Sequence, residues 1–321
     1  MKGKELRIVF MGTPDFAVAS LKALVNGGYN VVGVITAPDK PAGRGQKLNE
    51  PAVKQYAASK GLKILQPEKL KKTDFLTELK SLKADIQIVV AFRMLPEVVW
   101  NMPRLGTFNL HGSLLPQYRG AAPLNWAIIN GEKETGVTTF LLDHEIDTGK
   151  ILFREKISVN ENDTVGDIHD KLMGIGAQLV LKTVDSIAEG NISPLNQESI
   201  ESEGGLKHAP KIFREDCKIN WLKPAREIRN LIRGLSPYPT AWTELADEKG
   251  QVQTLKIFFA DFAEGPELPV GNILSDGKTF LKIKATDVWL SITDLQIAGK
   301  KRMNATDFLR GFHEIEKYKA I

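Results

Sequence analysis

The sequence reads Leu6-Arg7-Ile8-Val9-Phe10-Met11-Gly12-Thr13-Pro14-Asp15 near its start, and this stretch indicates the fold. Its apolar first half is typical of a buried strand. The residues after Gly12 mark a helix start, because Thr13 is a capping residue type, Pro14 suits the first helical position and Asp15 supplies an early acid. A strand followed directly by a helix is the first half of a βαβ unit.

The same alternation continues along the chain. Strands are predicted at residues 31–36, 64–65 and 85–92, and helices at residues 51–60, 73–82 and 96–101. A strand ending at His111 precedes a helix at 124–130, strands at 136–142 and 150–157, and a long helix at 164–189 capped by Thr164. This pattern predicts an α/β fold with a Rossmann-like, mostly parallel sheet. A Gly-x-Gly-x-x-Gly fingerprint does not follow the first strand, which argues against dinucleotide chemistry.

The pattern changes after residue 189. A polar stretch at residues 190–205 resembles a linker, and a helix at 224–233 follows it. Five short strands are predicted at residues 241–245, 254–259, 271–274, 280–283 and 288–295, as in a small OB-like β-barrel. The predicted organisation is therefore an α/β domain at 1–189, a linker at 190–205 and a C-terminal β-barrel domain at 206–321.

Composition limits the class of protein. The 321 residues suit two domains, and 42% hydrophobic with 26% charged residues is ordinary for a globular protein. No apolar run reaches the roughly 18 residues of a membrane helix, and the single cysteine, Cys217, excludes an internal disulfide or a cysteine cluster for zinc. We expect a cytoplasmic monomer without membrane contact or metal. From Leu206 onward, 19 Lys and Arg oppose 15 Asp and Glu, which suggests a polyanionic partner or merely a solvated basic surface.

Candidate catalytic residues follow in the stretch Phe108-Asn109-Leu110-His111. Residues two apart in a strand project from one face, so the Asn109 amide and the His111 imidazole share a face. The strand breaks at Gly112, and open α/β sheets place their chemistry beyond the carboxyl ends of strands. Asp147 adds a carboxylate from a separate turn. Because an amide, an imidazole and a carboxylate suit acyl transfer to an amine, we interpret the three together as catalytic rather than structural.

Longer motifs carry a family resemblance. The matching blocks are Gly12–Ala17, Pro38–Gly45, Asn109–Pro123, the turn around Asp147, Arg226–Trp242 and Leu295–Met303. On these blocks the chain resembles the folate-dependent formyltransferases over nearly its whole length. The block Pro38–Gly45 and the two C-terminal blocks favour the branch of that family that acts on a charged tRNA.

The resemblance implies transfer of the formyl group of 10-formyltetrahydrofolate, the co-substrate, to the α-amine of methionine on initiator methionyl-tRNA. Asn109, His111 and Asp147 occupy the family's catalytic positions. Its folate-contacting loop corresponds to Ser113, Leu114, Leu115 and Pro116. An amide or protonated imidazole can donate to the oxygen that gains charge, and one such donor is worth roughly 2.7–4 kcal/mol. Asp147 would orient His111 and help to move the amine proton.

The resemblance also implies that residues 1–189 form the catalytic domain, that residues 206–321 form a tRNA-binding domain, and that particular residues face tRNA. Arg44 and Lys47 lie in a Gly- and Pro-rich loop that in the family reaches the acceptor end, with a basic residue at the Arg44 position as the key contact. The remaining basic candidates are Arg226, Arg229, Arg233 and Lys301. The three arginines recur at helical spacing, which predicts one shared face. The alternative is an ordinary solvated helix.

Two departures from the family pattern and three other functions stay open. Ala91–Pro96 replaces an aromatic-glycine segment that lines the pterin pocket in the family, and Glu145 replaces a glycine in the Asp147 turn. A formyltransferase for glycinamide ribonucleotide or an amino sugar would need neither the Arg44 loop nor the basic barrel. A formyltetrahydrofolate hydrolase would need no large acceptor. A silent RNA-binding protein would not need the Asn109, His111 and Asp147 set.

Overall fold

The computed structural model describes residues 2–42, 47–200 and 204–321. Within it the chain forms two compact units that interleave along the sequence. The first comprises Met1–Pro123, Thr135–Ile157 and His169–His208, and the second comprises Leu124–Glu134, Ser158–Ile168 and Ala209–Ile321. The boundaries expected from the sequence, at residues 189 and 206, remain predictions.

The predicted helices and strands of the α/β part are present within a few residues of their expected ends. In chain order up to residue 209 the elements are β1 (Ile8–Gly12), α1 (Asp15–Asn26), β2 (Val31–Ile35), β3 (Lys40–Ala42), β4 (Lys47–Asn49), α2 (Ala52–Ser59), β5 (Ile64–Leu65), α3 (Thr73–Ser81), β6 (Ile86–Val90), α4 (Glu97–Trp100), β7 (Thr107–His111), β8 (Arg119–Gly120), α5 (Pro123–Ile129), β9 (Glu134–Leu141), β10 (Ile151–Ser158), α6 (Val165–Glu189) and β11 (His208–Ala209). The short hairpin of β3 and β4 was not predicted.

A seven-stranded sheet forms the centre of the first unit. Its strand order is β10-β9-β7-β6-β1-β2-β5. The strands β7, β6, β1, β2 and β5 are parallel, whereas β9 runs antiparallel to β7. Every residue of β1 and β6 is buried, as expected for strands covered on both faces by helices. The predicted Rossmann-like sheet is confirmed.

The predicted capping residues of α1 and α6 can be compared with the observed helix starts. The helix α1 begins at Asp15, Pro14 takes the cap position, and no side chain accepts a capping hydrogen bond, so the expected cap by Thr13 is wrong. At α6 the expected cap is correct. The Thr164 hydroxyl accepts from the Asp167 amide at 3.2 Å, and the Asp167 carboxylate accepts from the Thr164 amide at 2.9 Å, which forms a reciprocal capping box.

The second unit holds an antiparallel barrel. Its elements are α7 (Ala225–Gly234), β12 (Ala241–Ala246), β13 (Val252–Ala263), β14 (Ile273–Ser275), β15 (Leu281–Lys284), β16 (Trp289–Ile297), β17 (Met303–Asn304), α8 (Ala305–Gly311) and β18 (Lys319–Ala320). The strand order is β14-β15-β16-β13-β12-β18, and a bridge between Asn272 and Lys319 brings the two ends of this order together. The five predicted strands therefore form a nearly closed barrel, and the short strand β18 completes it.

Alternate side chains of the strands fill the interior of the barrel. Burial alternates along β12, so every second side chain enters the core, as in a sheet with one wet face. Trp221 lies in this core and donates its indole N–H to the Thr243 hydroxyl at 2.9 Å, so its one polar atom is paired. None of the helices in the described part of the chain is long and apolar enough to cross a membrane.

Candidate active site

Asn109 and His111 lie on β7, the strand at which the parallel part of the sheet ends. Asn109 pairs in register with Phe140 of β9, and His111 pairs with Thr138. His111 is only 6% exposed. The side-chain oxygen Oδ1 of Asn109 is buried and has no hydrogen-bond partner within residues 2–42, 47–200 and 204–321. A buried amide oxygen without a partner carries a desolvation cost, which a bound ligand can remove.

The His111 ring is held from both sides. Its Nε2 lies 2.9 Å from the carbonyl oxygen of Tyr118, which can only accept, so Nε2 donates in this arrangement. Its Nδ1 lies 3.8 Å from Oδ2 of Asp147. That distance suits an ion pair with a protonated ring but is too long for a direct hydrogen bond. The Phe140 ring packs edge-on against the imidazole, with 6.3 Å between the ring centroids.

Asp147 lies in the loop between β9 and β10 and has a left-handed backbone, with φ of +57°. Oδ2 of Asp147 accepts a hydrogen bond from the Gly120 amide at 2.9 Å. The loop closes tightly at Gly149, where an added Cβ would lie 1.7 Å from the carbonyl oxygen of Leu141. Glycine is therefore required at position 149 for the loop to pass so close to β9.

The residues predicted to contact folate form a fixed loop directly after β7. The Thr138 hydroxyl donates to the Ser113 carbonyl at 2.6 Å and accepts from the Leu115 amide at 3.1 Å. The Ser113 hydroxyl donates to the Gln117 carbonyl at 2.6 Å. Ser113, Leu115 and Pro116 are buried, Leu114 is half-buried, and the Leu115–Pro116 peptide bond is cis. Among these four side chains Leu114 is the most accessible to a ligand.

Gln197 is a site residue that the sequence reasoning missed. It comes from the stretch expected to be a linker, yet it is only 3% exposed. Its Nε2 donates to the carbonyl oxygens of Asp147 and Gly149 at 2.9 and 2.8 Å. Its Oε1 accepts from Nε and Nη2 of Arg119 at 3.0 and 2.7 Å. The Gln197 amide thus uses both of its ends to join the Asp147 turn to the segment beside His111.

The two departures from the family pattern have defined positions. Arg93 donates to the backbone carbonyl of Glu68 at 2.8 Å and also to that of Pro67, so it fastens its own segment to the neighbouring loop. Burial lowers the pKa of the Arg93 guanidinium below its ordinary value. In the Asp147 turn, Glu145 is exposed and its φ is not positive, so a side chain is accommodated where the family has glycine.

The basic residues predicted to face tRNA fall into separate groups. Arg226 and Lys301 are exposed and have no hydrogen bond or ion pair within the described part of the chain. Arg44 lies outside the described residues. The backbone of Lys47 begins β4, but its side chain lies outside the described atoms.

The expected shared face of three arginines is corrected by the structure. Arg229 is 5% exposed and donates to the Ala260 and Glu161 carbonyls at 3.1 and 3.0 Å, and to Asp261 at 3.0 Å. Arg233 is also buried and donates to Asn230 and to the carbonyls of Asn160 and Asp163. Burial, and next the Arg229 charge, lower the pKa of Arg233. These donors are already used within the second unit, so we withdraw both residues from the predicted RNA-facing set.

A Rossmann-like sheet with an amide, an imidazole and a carboxylate beyond its central strands defines a group-transfer enzyme of the α/β class. Comparison with known families makes this specific. The family "formyl transferase" matches residues 6–184, and "formyl transferase, C-terminal domain" matches residues 211–313. The chain therefore belongs to the formyl transferase family.

Relatives that match the chain over its whole length are named as methionyl-tRNA formyltransferases. The chain is 59% identical over 321 residues to the methionyl-tRNA formyltransferase of Parabacteroides distasonis, with 99% of each chain covered. It is 56% identical over 320 residues to the methionyl-tRNA formyltransferase of Bacteroides thetaiotaomicron, again with 99% of each chain covered.

Solved structures share the fold at low sequence identity. A sugar 3N-formyl transferase has a TM-score of 0.62 and 22% identity, covering 92% of this chain and 99% of that chain. HypX from Aquifex aeolicus, solved in complex with tetrahydrofolic acid, has a TM-score of 0.64 and 18% identity, covering 95% of this chain and 47% of that chain. These likenesses confirm the architecture.

Proposed function

We propose that this chain transfers the formyl group of 10-formyltetrahydrofolate to the α-amine of methionine on initiator methionyl-tRNA, giving N-formylmethionyl-tRNA. The observation that carries the proposal is the similarity of 56–59% over the whole chain to relatives named for this activity. Similarity of that extent includes both units. The sugar 3N-formyl transferase structure also covers 92% of this chain but at only 22% identity, so the high identity to the methionyl-tRNA formyltransferases carries the proposal.

The site residues support the chemistry of the transfer. Attack by the amine on the formyl carbon develops negative charge on the formyl oxygen and leaves an extra proton on the amine. The bond between the formyl carbon and N10 of the folate then breaks, and the proton lost by the amine is balanced by the proton that tetrahydrofolate gains at N10. The Asn109 amide and a protonated His111 are donors suited to that oxygen, each worth roughly 2.7–4 kcal/mol in the transition state. Asp147, with Oδ2 at 3.8 Å from Nδ1 of His111, stabilises the protonated ring and helps to remove the amine proton.

The folate co-substrate supplies the formyl group when bound, and the residues present fit such a ligand. Oδ1 of Asn109 is buried and unpaired within the described residues, so it can accept a hydrogen bond from a bound ligand. The loop of Ser113, Leu114, Leu115 and Pro116, which follows β7 directly, is held in place by the Thr138 hydroxyl, so it is preformed for a ligand. A preformed pocket limits the conformational entropy that binding would otherwise cost.

The RNA-facing part of the proposal is now smaller than the sequence suggested. Arg44 and Lys47 remain the candidates for the acceptor end, because arginine can pair with phosphate or stack on an unpaired base. Arg226 and Lys301 remain candidates for phosphate contacts of the C-terminal domain. We place the activity in the cytoplasm, where charged tRNA is used. We expect a monomer.

The first experiment tests acceptor and reaction together. Purified protein is mixed with 10-formyltetrahydrofolate and methionyl initiator tRNA, and formylmethionyl-tRNA is sought by mass. Parallel reactions contain uncharged tRNA, glycinamide ribonucleotide, an amino-sugar nucleotide or no acceptor. The proposal predicts formylation of the charged tRNA alone.

Each rival function predicts a different result in that assay. Formylation of the ribonucleotide or the amino sugar would move the chain to the small-molecule branch of the family. Loss of the formyl group without any acceptor would indicate a hydrolase. Binding of tRNA without folate turnover would identify a silent RNA-binding protein.

A further inference from the structure

We infer that Gln197 is a positioning residue for the transfer reaction, because it holds the Asp147 turn in the conformation that directs its carboxylate toward His111. This inference rests on the proposed function and deepens it. Within residues 2–42, 47–200 and 204–321, no hydrogen bond joins Gln197 to His111. Its effect on chemistry would therefore pass through Asp147.

The need for such a residue follows from the backbone of the turn. A left-handed conformation is unfavourable at a residue other than glycine, so surrounding contacts must maintain it. Asp147 has φ of +57°, and its side chain contacts the Gly120 amide at 2.9 Å and His111 at 3.8 Å. A small rotation of the backbone at Asp147 would move the carboxylate away from both groups.

Gln197 makes the contacts that oppose this rotation. Its amide nitrogen donates to the carbonyls on either side of Thr148, at 2.9 Å to Asp147 and 2.8 Å to Gly149. Two hydrogen bonds from one buried nitrogen fix the direction of both peptide planes. An isolated bridge between Leu195 and Ile151 anchors the Gln197 segment to the start of β10.

The oxygen of the same side chain connects the Asp147 turn to the segment at residues 118–120. Oε1 of Gln197 accepts two hydrogen bonds from Arg119, whose neighbours Tyr118 and Gly120 contact His111 and Asp147. The segment 118–120 and the Asp147 turn are thereby joined twice, once through the Gly120 amide and once through Gln197. Because all four hydrogen-bonding positions of this amide are used, no isosteric residue replaces it.

The test uses the full chain, charged initiator tRNA and single-turnover conditions, so that chemistry rather than product release is measured. Gln197→Leu keeps the side-chain size and removes both ends of the amide, whereas Gln197→Glu keeps the acceptor for Arg119 and loses the donor. We expect each to lower the single-turnover rate roughly 10- to 100-fold, the effect of misplacing a catalytic group by about 1 Å. KM for both substrates should change by less than about twofold, because Asp147 acts mainly in the transition state. Ser199→Ala is the matched control, because Ser199 is exposed and lies two residues after Gln197.

Two further readouts separate positioning from general support of the fold. In the Asp147→Asn background, Gln197→Leu should lower the single-turnover rate by less than about threefold, since the effects of residues that act through one another are not additive. Hydrogen exchange followed by mass spectrometry should accelerate in peptides covering 118–122 and 145–149, where the acceptor of the Gly120 amide is lost, and not in β1 or β6.

The outcomes are distinguishable. Full activity of both Gln197 variants, an equal loss in the two Asp147 backgrounds, or faster exchange throughout the chain would overturn the inference while leaving the reaction intact. If Gln197→Leu does not fold, Gln197→Glu decides by the same criteria. Failure of the unaltered protein to formylate methionyl-tRNA would instead remove the proposed function itself.

Discussion

Two buried polar clusters in this molecule differ in how completely their hydrogen-bonding groups are paired. Around His111 the pairing is incomplete, since Oδ1 of Asn109 lacks a partner within the described residues and the Asp147 carboxylate stands 3.8 Å from the imidazole. Around Arg229 it is saturated, because carbonyl oxygens and a carboxylate receive its guanidinium donors. A buried polar atom left unpaired costs free energy, so it persists where a ligand completes it.

The comparison teaches how to separate a functional residue from a structural one of the same type. Arg226 and Arg229 lie one turn apart in the same helix and look equivalent in the sequence. The Arg226 side chain is exposed to water, whereas the Arg229 guanidinium is buried and donates hydrogen bonds within the protein. An arginine whose donors are already bonded inside the protein has none left for phosphate.

The largest effect should come from removing the imidazole. His111→Ala is expected to lower the single-turnover rate by roughly 10²–10⁴-fold, the usual range for a group that donates to and moves protons in a transition state. The variant should remain folded at the assay temperature, with a lower melting temperature because the buried ring leaves a cavity, and calorimetry checks this. Near-normal turnover would remove His111 from the mechanism.

His144→Ala is the matched control. This histidine is 68% exposed at its side chain, lies beside Glu97 and packs edge-on against Trp100, which is a surface role. Its replacement should leave the rate unchanged. Within the same loop, Asp147→Asn should lose most activity while Asp143→Asn, at an exposed position, should not.

The next effect should fall on stability rather than on rate. Arg229→Met removes several charge-assisted hydrogen bonds, each worth roughly 1.5–3 kcal/mol, so we expect a net loss of about 3 kcal/mol in the free energy of unfolding. For a unit of this size, that loss lowers the melting temperature by roughly 6–12 °C. Scanning calorimetry measures it. Arg226→Met should melt like the unaltered protein, and an equal loss in both variants would erase the contrast between them.

A smaller effect is expected at the loop residue Arg44. Arg44→Ala should raise KM for methionyl-tRNA about tenfold, because losing stacking on one base costs roughly 1–3 kcal/mol. KM for folate should be unchanged. Arg44→Lys keeps the charge but not the planar guanidinium, so an intermediate KM is expected. Unchanged kinetics on charged tRNA in Arg44→Ala would exclude this residue from the RNA contact.

The smallest effect should appear at the exposed cations of the C-terminal region. Arg226→Ala or Lys301→Ala should weaken tRNA binding about equally for all sequences and reduce the slope of log affinity against log salt by about 1. Titrations at several salt concentrations measure this slope. Arg226→Lys should retain it, since one positive charge remains. An unaltered slope in the alanine variants would place the phosphate contacts elsewhere.

Sequence patterns predicted the architecture well because they depend on local spacing. The buried strand β1 and the capping box of Thr164 follow directly from apolar runs and residue types. The two-residue spacing of Asn109 and His111 likewise sufficed to place both on one strand. Short elements escaped, including β18, because two residues carry too little periodic signal.

The role of the stretch before the barrel shows the limit of such patterns. Residues 190–205 are polar and contain proline, which favours a linker, and composition does not distinguish a solvated glutamine from Gln197. Only the return of this stretch to the start of β10 places the Gln197 amide between two loops. The same limit applies to Arg229, whose partners lie 31 and more residues away in the chain.

Local periodicity and motifs in the chain were enough to predict the sheet, the barrel, the family and the three groups proposed for catalysis. Tertiary structure decided which polar groups are paired. Pairing depends on atoms brought together by the fold from distant positions, so the incomplete cluster at His111, the saturated cluster at Arg229 and the double hydrogen bond from Gln197 became visible only there.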